Sequence, residues 1–123
     1  MIAVPRYLYH RTSMDSYMGI LMDKKLRHIG TPASHRRFKR LKFDEHGRDK
    51  WKCVFLAESK DLTKGLVCGG DVVLKIRTEN LDPQKFEYDG NVSLNEYGKS
   101  FTYGADIPTS EIVGTYIDKW KHV

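Results

Sequence analysis

The segment 6–12, with the sequence RYLYHRT, holds the first residues whose types suit binding or catalysis. His10 carries an imidazole that can donate or accept a hydrogen bond near neutral pH, and the hydroxyl of Thr12 can do both. Residues two apart in an extended strand lie on the same side, so His10 and Thr12 can contact one ligand. The alternative interpretation is a histidine whose hydrogen bonds are satisfied inside the fold.

Familiar catalytic motifs are missing from the sequence. It has no glycine-rich phosphate loop, no Gly-x-Ser-x-Gly nucleophile elbow and no His-Glu-x-x-His zinc motif. Its two cysteines, Cys53 and Cys68, are too few for a structural zinc site, and we expect them to be reduced and buried. No metal is therefore expected.

A basic segment at 35–52 is the second candidate site. It holds eight of the 21 Lys and Arg residues, with Phe38, Phe43 and Trp51 between them. Such a mixture suits contact with a phosphate backbone and stacking on a base, although a solvated loop with aromatic side chains packed on the core fits equally well. The candidate nucleic-acid-binding residues are Arg36, Arg37, Lys39, Arg40 and Lys42.

A strand over 6–10 and a helix directly after it are predicted to position His10. Either Thr12 or Ser13 can cap the helix, and a glycine-to-proline segment at 30–32 prevents its continuation. Apolar residues with helical spacing follow the cap at Met14, Tyr17, Met18 and Leu21.

The rest of the chain predicts short strands separated by turns. The expected strands are 53–57, 72–76, 86–88, 99–105 and 114–117, with short helical segments near 58–62 and at 109–111. Ile107-Pro108 is expected to be a turn. About six strands and one main helix indicate the α+β class.

Length and charge narrow the function further. A chain of 123 residues with 40% hydrophobic residues predicts one domain over 1–123. No apolar run reaches 18 residues and no secretory signal opens the chain, so we expect a cytoplasmic protein without a membrane partner. The net charge of +5 favours anionic partners, namely nucleic acid, nucleotides or acidic protein faces.

The order of these parts resembles the ADP-ribosyltransferase fold, in particular members that open with Tyr-His-x-Thr. The resemblance lies in residues 9–12 on the first strand, in the strand and turn at 54–59, and in the closing segment 101–112 with its Ile-Pro pair. DNA-targeting toxin transferases and RNA 2′-phosphotransferases share this outline. The resemblance implies a small split sheet of α+β class and NAD as the substrate.

The resemblance also implies roles for individual residues. The first-motif histidine of the family hydrogen-bonds ribose hydroxyls of NAD, and His10 matches it. The second motif lines the nicotinamide pocket, where Phe55 and Ser59 match, although Ser59 also suits a helix cap. The candidate NAD contacts are His10, Arg11, Thr12, Phe55 and Ser59.

The third motif of the family is a glutamate on the strand before the Ile-Pro pair, about where Lys99 or Ser100 falls. Such a carboxylate stabilises positive charge as the bond between nicotinamide and ribose breaks. The nearest candidate is Glu96, which needs a bulge or loop to reach the pocket, and Asp106 is a weaker substitute. Glu96 and His10 are therefore the catalytic candidates.

Two functions of different classes follow. The first is an NAD-dependent ADP-ribosyltransferase, a glycosyltransferase acting on NAD, of a phage or toxin type that modifies a macromolecule, with nucleic acid favoured by charge. The second is a non-catalytic module on the same scaffold that binds nucleic acid or a protein partner. A third alternative is recognition of an acidic protein face by charge steering.

Overall fold

A computed structural model describes residues 2–27, 53–65, 70–89 and 98–119. These residues form one α-helix, α1 (Met14–Asp23), and eight strands: β1 (Tyr7–Thr12), β2 (Lys25–Leu26), β3 (Val54–Ala57), β4 (Val72–Arg77), β5 (Phe86–Tyr88), β6 (Ser100–Tyr103), β7 (Ile107–Pro108) and β8 (Ile112–Ile117). Short 3₁₀ turns lie at Asp61–Gly65, Pro83–Lys85 and Thr109–Glu111. Over these ranges no helix has the length and apolar character that crossing a membrane requires.

Six of the strands form one antiparallel sheet in the order β5-β6-β3-β1-β4-β8. β1 lies inside this sheet and pairs with β4 along its whole length, from Tyr7 opposite Arg77 to Thr12 opposite Val72. A second, two-stranded sheet joins β2 to β7. One main helix on an antiparallel sheet confirms the predicted α+β class.

The ladder between β1 and β3 is short. Tyr9 and Ala57 form its pair, whereas β3 pairs with β6 along four residues on its other side. Beyond Tyr9, the ring of His10 contacts the carbonyl of Phe55. The sheet is therefore weakly joined at this point, and a histidine side chain bridges the break.

The two faces of the sheet differ in chemistry. The core face carries Leu8, Leu56 and Leu74, which are fully buried and belong to the hydrophobic cluster that Ile20 of α1 covers. Because side chains alternate along a strand, the reverse face of β1 carries Tyr7, Tyr9 and Arg11. Even-numbered residues of β1 therefore lie on the core face, and odd-numbered residues lie on the reverse face.

A side-chain cap begins helix α1, and a left-handed backbone conformation ends it. The hydroxyl of Ser13 accepts a hydrogen bond from the amide of Ser16, which confirms Ser13 as the cap. The helix ends at Asp23, several residues before the segment 30–32 that was expected to prevent its continuation, because Lys24 adopts a left-handed conformation with φ 60°.

The apolar spacing predicted this helix but not its buried side. Ile20 is buried and Tyr17 is half-buried, with its hydroxyl 3.5 Å from the hydroxyl of Thr115 on β8. The other apolar residues of the predicted stripe are about half exposed, namely Met14, Met18 and Leu21. The contact with the sheet therefore runs through Tyr17, which belongs to the predicted stripe, and Ile20, which does not.

The expectation that Ile107-Pro108 forms only a turn is wrong. These residues are β7, and they pair with Lys25 and Leu26 directly after α1. The amide of Thr109 donates to the carbonyl of Lys24 at 3.1 Å and extends this connection. A two-residue strand is too short to show alternation of apolar and polar residues, so this strand and its pairing with β2 could not be predicted from the sequence.

Gly70 precedes β4 and lies against the backbone at the end of β1. Its φ is +141°, and an added Cβ would overlap the carbonyl of Thr12 and lie 2.5 Å from the nitrogen of Ser13. We predict that Gly70→Ala lowers the free energy of unfolding by roughly 3 kcal/mol, because the strained backbone and the overlap must both be relieved.

Urea unfolding checks this prediction, and Gly19→Ala on α1 is the matched control. No neighbouring atom lies within 4 Å of an added Cβ at Gly19. Because alanine favours a helix interior, Gly19→Ala should raise the free energy of unfolding by about 1 kcal/mol. A Gly70→Ala protein as stable as the wild type would contradict the close approach at Thr12.

Candidate active site

His10 lies on β1 beside the break between β1 and β3. Its Nδ1 is 2.8 Å from the carbonyl oxygen of Phe55. A carbonyl oxygen only accepts, so Nδ1 carries the proton and Nε2 is left as an acceptor. Burial lowers the pKa of His10 from its usual 6.5, and the hydrogen bond to Phe55 opposes this less strongly. The imidazole is therefore neutral at physiological pH.

The Nε2 atom of His10 is a buried acceptor without a partner among the described residues. Only 6% of His10 is exposed, and buried polar atoms nearly always have a hydrogen-bond partner. Thr12 lies on the same face of β1 and is equally buried. This end of β1 therefore offers a hydroxyl and an unused acceptor nitrogen, which suits a ligand that donates hydrogen bonds.

Arg11 lies on the reverse face, and its side chain is fully buried. Its Nε donates to the hydroxyl of Thr63 at 3.0 Å, and Nη1 donates to the carbonyls of Gly70 at 2.7 Å and Asp118 at 2.8 Å. Its Nη2 donates to the Asp118 carboxylate at 2.5 Å. We call these four residues the arginine clamp.

The arginine clamp engages four of the five N–H groups of Arg11 with protein acceptors. The hydrogen bond from Arg11 also holds the pKa of the Asp118 carboxyl below its usual value. These contacts show what the side chain of Arg11 does in the fold. The NAD contact that the resemblance implies for Arg11 stays a prediction.

The second-motif residues enter the site differently. The ring of Phe55 is buried on the reverse face, so the part of Phe55 that meets His10 is its backbone carbonyl. The hydroxyl of Ser59 accepts from the amide of Leu62 at 3.3 Å, as a cap of the 3₁₀ turn. The structure thus joins Phe55 to His10, and it gives Ser59 the capping contact of the alternative interpretation.

Several sequence-based candidates lie outside the described residues: Glu96, Arg36, Arg37, Lys39, Arg40, Lys42 and Cys68. At the position where the family has its glutamate, Ser100 is buried at the start of β6, and Lys99 is exposed. The substitute acid Asp106 is 3.5 Å from the ammonium of Lys25. Across the described ranges, no three His, Cys, Asp or Glu side chains gather as metal ligands do.

Sequence reasoning missed the buried carboxylate of Glu111. It accepts from Arg77 Nε at 3.1 Å and from the Asn80 amide at 3.2 Å, so it joins the last 3₁₀ turn to the end of β4. These two partners, which are 34 and 31 residues away in the sequence, allow the carboxylate to be buried. In the sequence, Thr-Ser-Glu indicates only the start of a helical turn.

Comparison with known proteins supports the fold. Neither protein-family models nor curated protein sequences gave a match. The crystal structure of protein CC0527 from Caulobacter crescentus is similar to this chain, with a TM-score of 0.58 over 90% of this chain and 84% of that protein. The two sequences are 9% identical, so the likeness concerns the fold alone.

The arginine clamp generates a stability prediction. We expect Arg11→Met to lower the free energy of unfolding by roughly 3 kcal/mol, because the substitution leaves two carbonyls and a carboxylate without their donor. Urea unfolding measures the change. Lys85→Gln, at an exposed lysine of the 83–85 turn, is the control and should stay within about 0.5 kcal/mol of the wild type. An unaffected Arg11→Met protein would show that the clamp is dispensable.

His10 predicts a pH dependence of stability. Its pKa is lower in the folded protein than in the unfolded chain, so below about pH 6.5 the unfolded chain binds the extra proton first. The free energy of unfolding should therefore fall as the pH drops from about 6.5 towards the folded-state pKa.

The matched variant for this prediction is His10→Asn, because the asparagine amide keeps a donor near the position of Nδ1 but does not titrate. Urea unfolding across this pH range should give a flatter profile for His10→Asn than for the wild type. Identical slopes would contradict a buried neutral His10. Histidine proton resonances in an NMR titration would report the folded-state pKa directly.

Proposed function

We propose that this protein is an NAD-dependent ADP-ribosyltransferase that modifies a macromolecule. One observation carries the proposal, namely a neutral, buried His10 whose Nε2 acceptor has no partner among the described residues. The resemblance over Tyr9 to Thr12 implies a ribose hydroxyl contact at this position. A ribose hydroxyl is a donor of the kind that an imidazole acceptor needs.

The transfer breaks the bond between the ribose C1′ and the nicotinamide nitrogen, and nicotinamide takes the electron pair. A nucleophile on the target supplies the pair for the new bond to C1′ and releases its proton to solvent. Between these events the ribose carries positive charge. His10 would orient the ribose through Nε2, and Glu96 is the candidate carboxylate for stabilising the charge.

The protonation state of His10 matters for this role. A protonated imidazole has two donors, so it cannot accept from a ribose hydroxyl, and its charge would repel the positive ribose. Burial keeps His10 neutral, and the bond to Phe55 fixes the proton on Nδ1. These two interactions suit His10 to hold the substrate rather than to transfer protons.

The proposal is tested with wild-type protein, NAD and candidate targets of DNA, RNA and protein. Calorimetry measures NAD affinity, and chromatography measures release of nicotinamide. We expect His10→Asn to keep the bond to Phe55 and to bind NAD about tenfold more weakly, which corresponds to one lost hydrogen bond of about 1.4 kcal/mol. Lys85→Gln should bind NAD as the wild type does.

The unfolding midpoint at neutral pH shows whether His10→Asn is folded, so weak binding can be separated from a damaged structure. Equal NAD affinity in His10→Asn and wild type would remove His10 from the site. Absence of NAD binding by the wild type would overturn the proposal as a whole. NAD binding without nicotinamide release on any target would contradict the transferase activity.

A further inference from the structure

The reverse face of the sheet carries cations that rest on tyrosine rings. The Nζ of Lys75 is 4.4 Å from the centre of the Tyr7 ring, and the guanidinium carbon of Arg6 is 5.5 Å from the same centre. The Nζ of Lys60 is 4.6 Å from the centre of the Tyr116 ring. All three distances fall within the range of cation–π attraction. We call these five residues, together with Tyr9, which lies opposite Lys75 on the same face, the cation–tyrosine row.

Strand register makes the row continuous. Tyr9 lies opposite Lys75 on β4, and Lys75 lies opposite Gly114 on β8. The Tyr116 hydroxyl is 3.1 Å from the place where a Cβ of Gly114 would stand, and the Lys75 Cβ is 3.4 Å from it. The missing side chain at Gly114 therefore leaves space in which the Tyr116 ring lies beside the stem of Lys75.

The cations of the row keep their charge available. The ion pairs of the described residues do not include Arg6, Lys60 or Lys75. An aromatic ring positions a cation without neutralising it, whereas a carboxylate would do both. A ligand with several negative charges therefore meets cations that are already held in place.

Two carboxylates near the row form ion pairs with arginines outside it. Asp118 is paired with Arg11 at 2.5 Å, and Glu111 is paired with Arg77 at 3.1 Å. Lys60 also contributes to the lowered pKa of Asp118, so its ammonium lies near enough to act on that carboxyl. Asp118 and Glu111 thus already have cationic partners, and Arg77 also lies 3.9 Å from the carboxylate of Glu79.

The rings of the row are accessible as well. Tyr116 is 37% exposed, Tyr7 and Tyr9 are half-buried, and Lys60 is exposed. Arg11, Phe55 and Val73 are buried on this face, so the accessible part is the surface formed by the row itself. Partly exposed aromatic rings combined with cations are typical of proteins that stack unpaired bases. Duplex phosphates need the cations but not the rings, and an acidic peptide offers no base to stack. The chemistry therefore favours a single strand.

We propose that the cation–tyrosine row binds single-stranded nucleic acid, with Lys60 and Lys75 on phosphates and the Tyr116 ring against a base. Tyr9 and His10 are adjacent on β1 and point to opposite faces of the sheet. The row is therefore separate from the proposed NAD site, and this inference does not depend on the proposed function.

Fluorescence anisotropy with a labelled oligothymidylate and the full chain tests the inference. We expect Lys60→Gln and Lys75→Gln each to weaken binding several-fold at low salt. Each substitution should also make the plot of log K against log salt shallower by about 0.7, the value for one lost contact with a single-strand phosphate. Tyr116→Leu should weaken binding about fivefold or more through lost stacking.

The matched control is Lys85→Gln, which removes the same charge at an exposed position near the β5 edge of the sheet. It should bind the oligonucleotide as the wild type does, and circular dichroism checks that each variant is folded. His10→Asn should also leave this binding unchanged, so a failed NAD experiment does not decide this one.

Four results would overturn the inference. One is the absence of oligonucleotide binding at low salt. The second is an equal loss in Lys85→Gln and Lys75→Gln, which would indicate diffuse charge attraction. The third is wild-type binding by Lys60→Gln and Lys75→Gln, which would assign binding to another part of the chain, such as 35–52. The last is tighter binding of a duplex than of the single strand.

Discussion

The fold depends on burying the guanidinium of Arg11 at the centre of the sheet. A buried cation without partners costs several kcal/mol, so the chain must bring acceptors to it. They come from Thr63, Gly70 and Asp118, which are 52, 59 and 107 residues away in sequence. The absence of a side chain at Gly70 lets its carbonyl approach this close to β1. One ion therefore fixes the 61–65 turn, the entry to β4 and the exit from β8.

This constraint also explains the state of the neighbouring residue. Because the arginine clamp holds β1 on its reverse face, His10 must point to the core face, where burial removes it from water. No carboxylate contributes to its pKa, so the imidazole stays neutral there. Two successive basic side chains thus differ in charge. Arg11 is positively charged and paired with Asp118, whereas His10 is neutral and buried beside Phe55.

Local patterns in the sequence predicted local structure, but they did not predict contacts between residues that are far apart in the sequence. The strand 86–88 was predicted correctly, and so was a helix cap at Thr12 or Ser13, of which the structure selects Ser13. Strands and caps of this kind are recognisable from a few neighbouring residues. The buried side of α1 was not predicted, since the sheet contacts Tyr17 and Ile20 rather than the methionines. For the site, the position of His10 could be proposed from Tyr-His-x-Thr, but its Phe55 partner 45 residues away depends on where β3 breaks from β1.

The two proposed sites constrain how they can work together. They lie on opposite faces of β1, so a nucleic acid strand on the cation–tyrosine row does not present its bound bases to His10. The row would instead anchor one part of a flexible strand and raise the local concentration of its remaining nucleotides near the break between β1 and β3. Anchoring of this kind favours targets long enough to pass around the sheet. A single nucleotide would gain nothing from the row, whereas an extended strand would gain affinity without any new contact at the proposed NAD site.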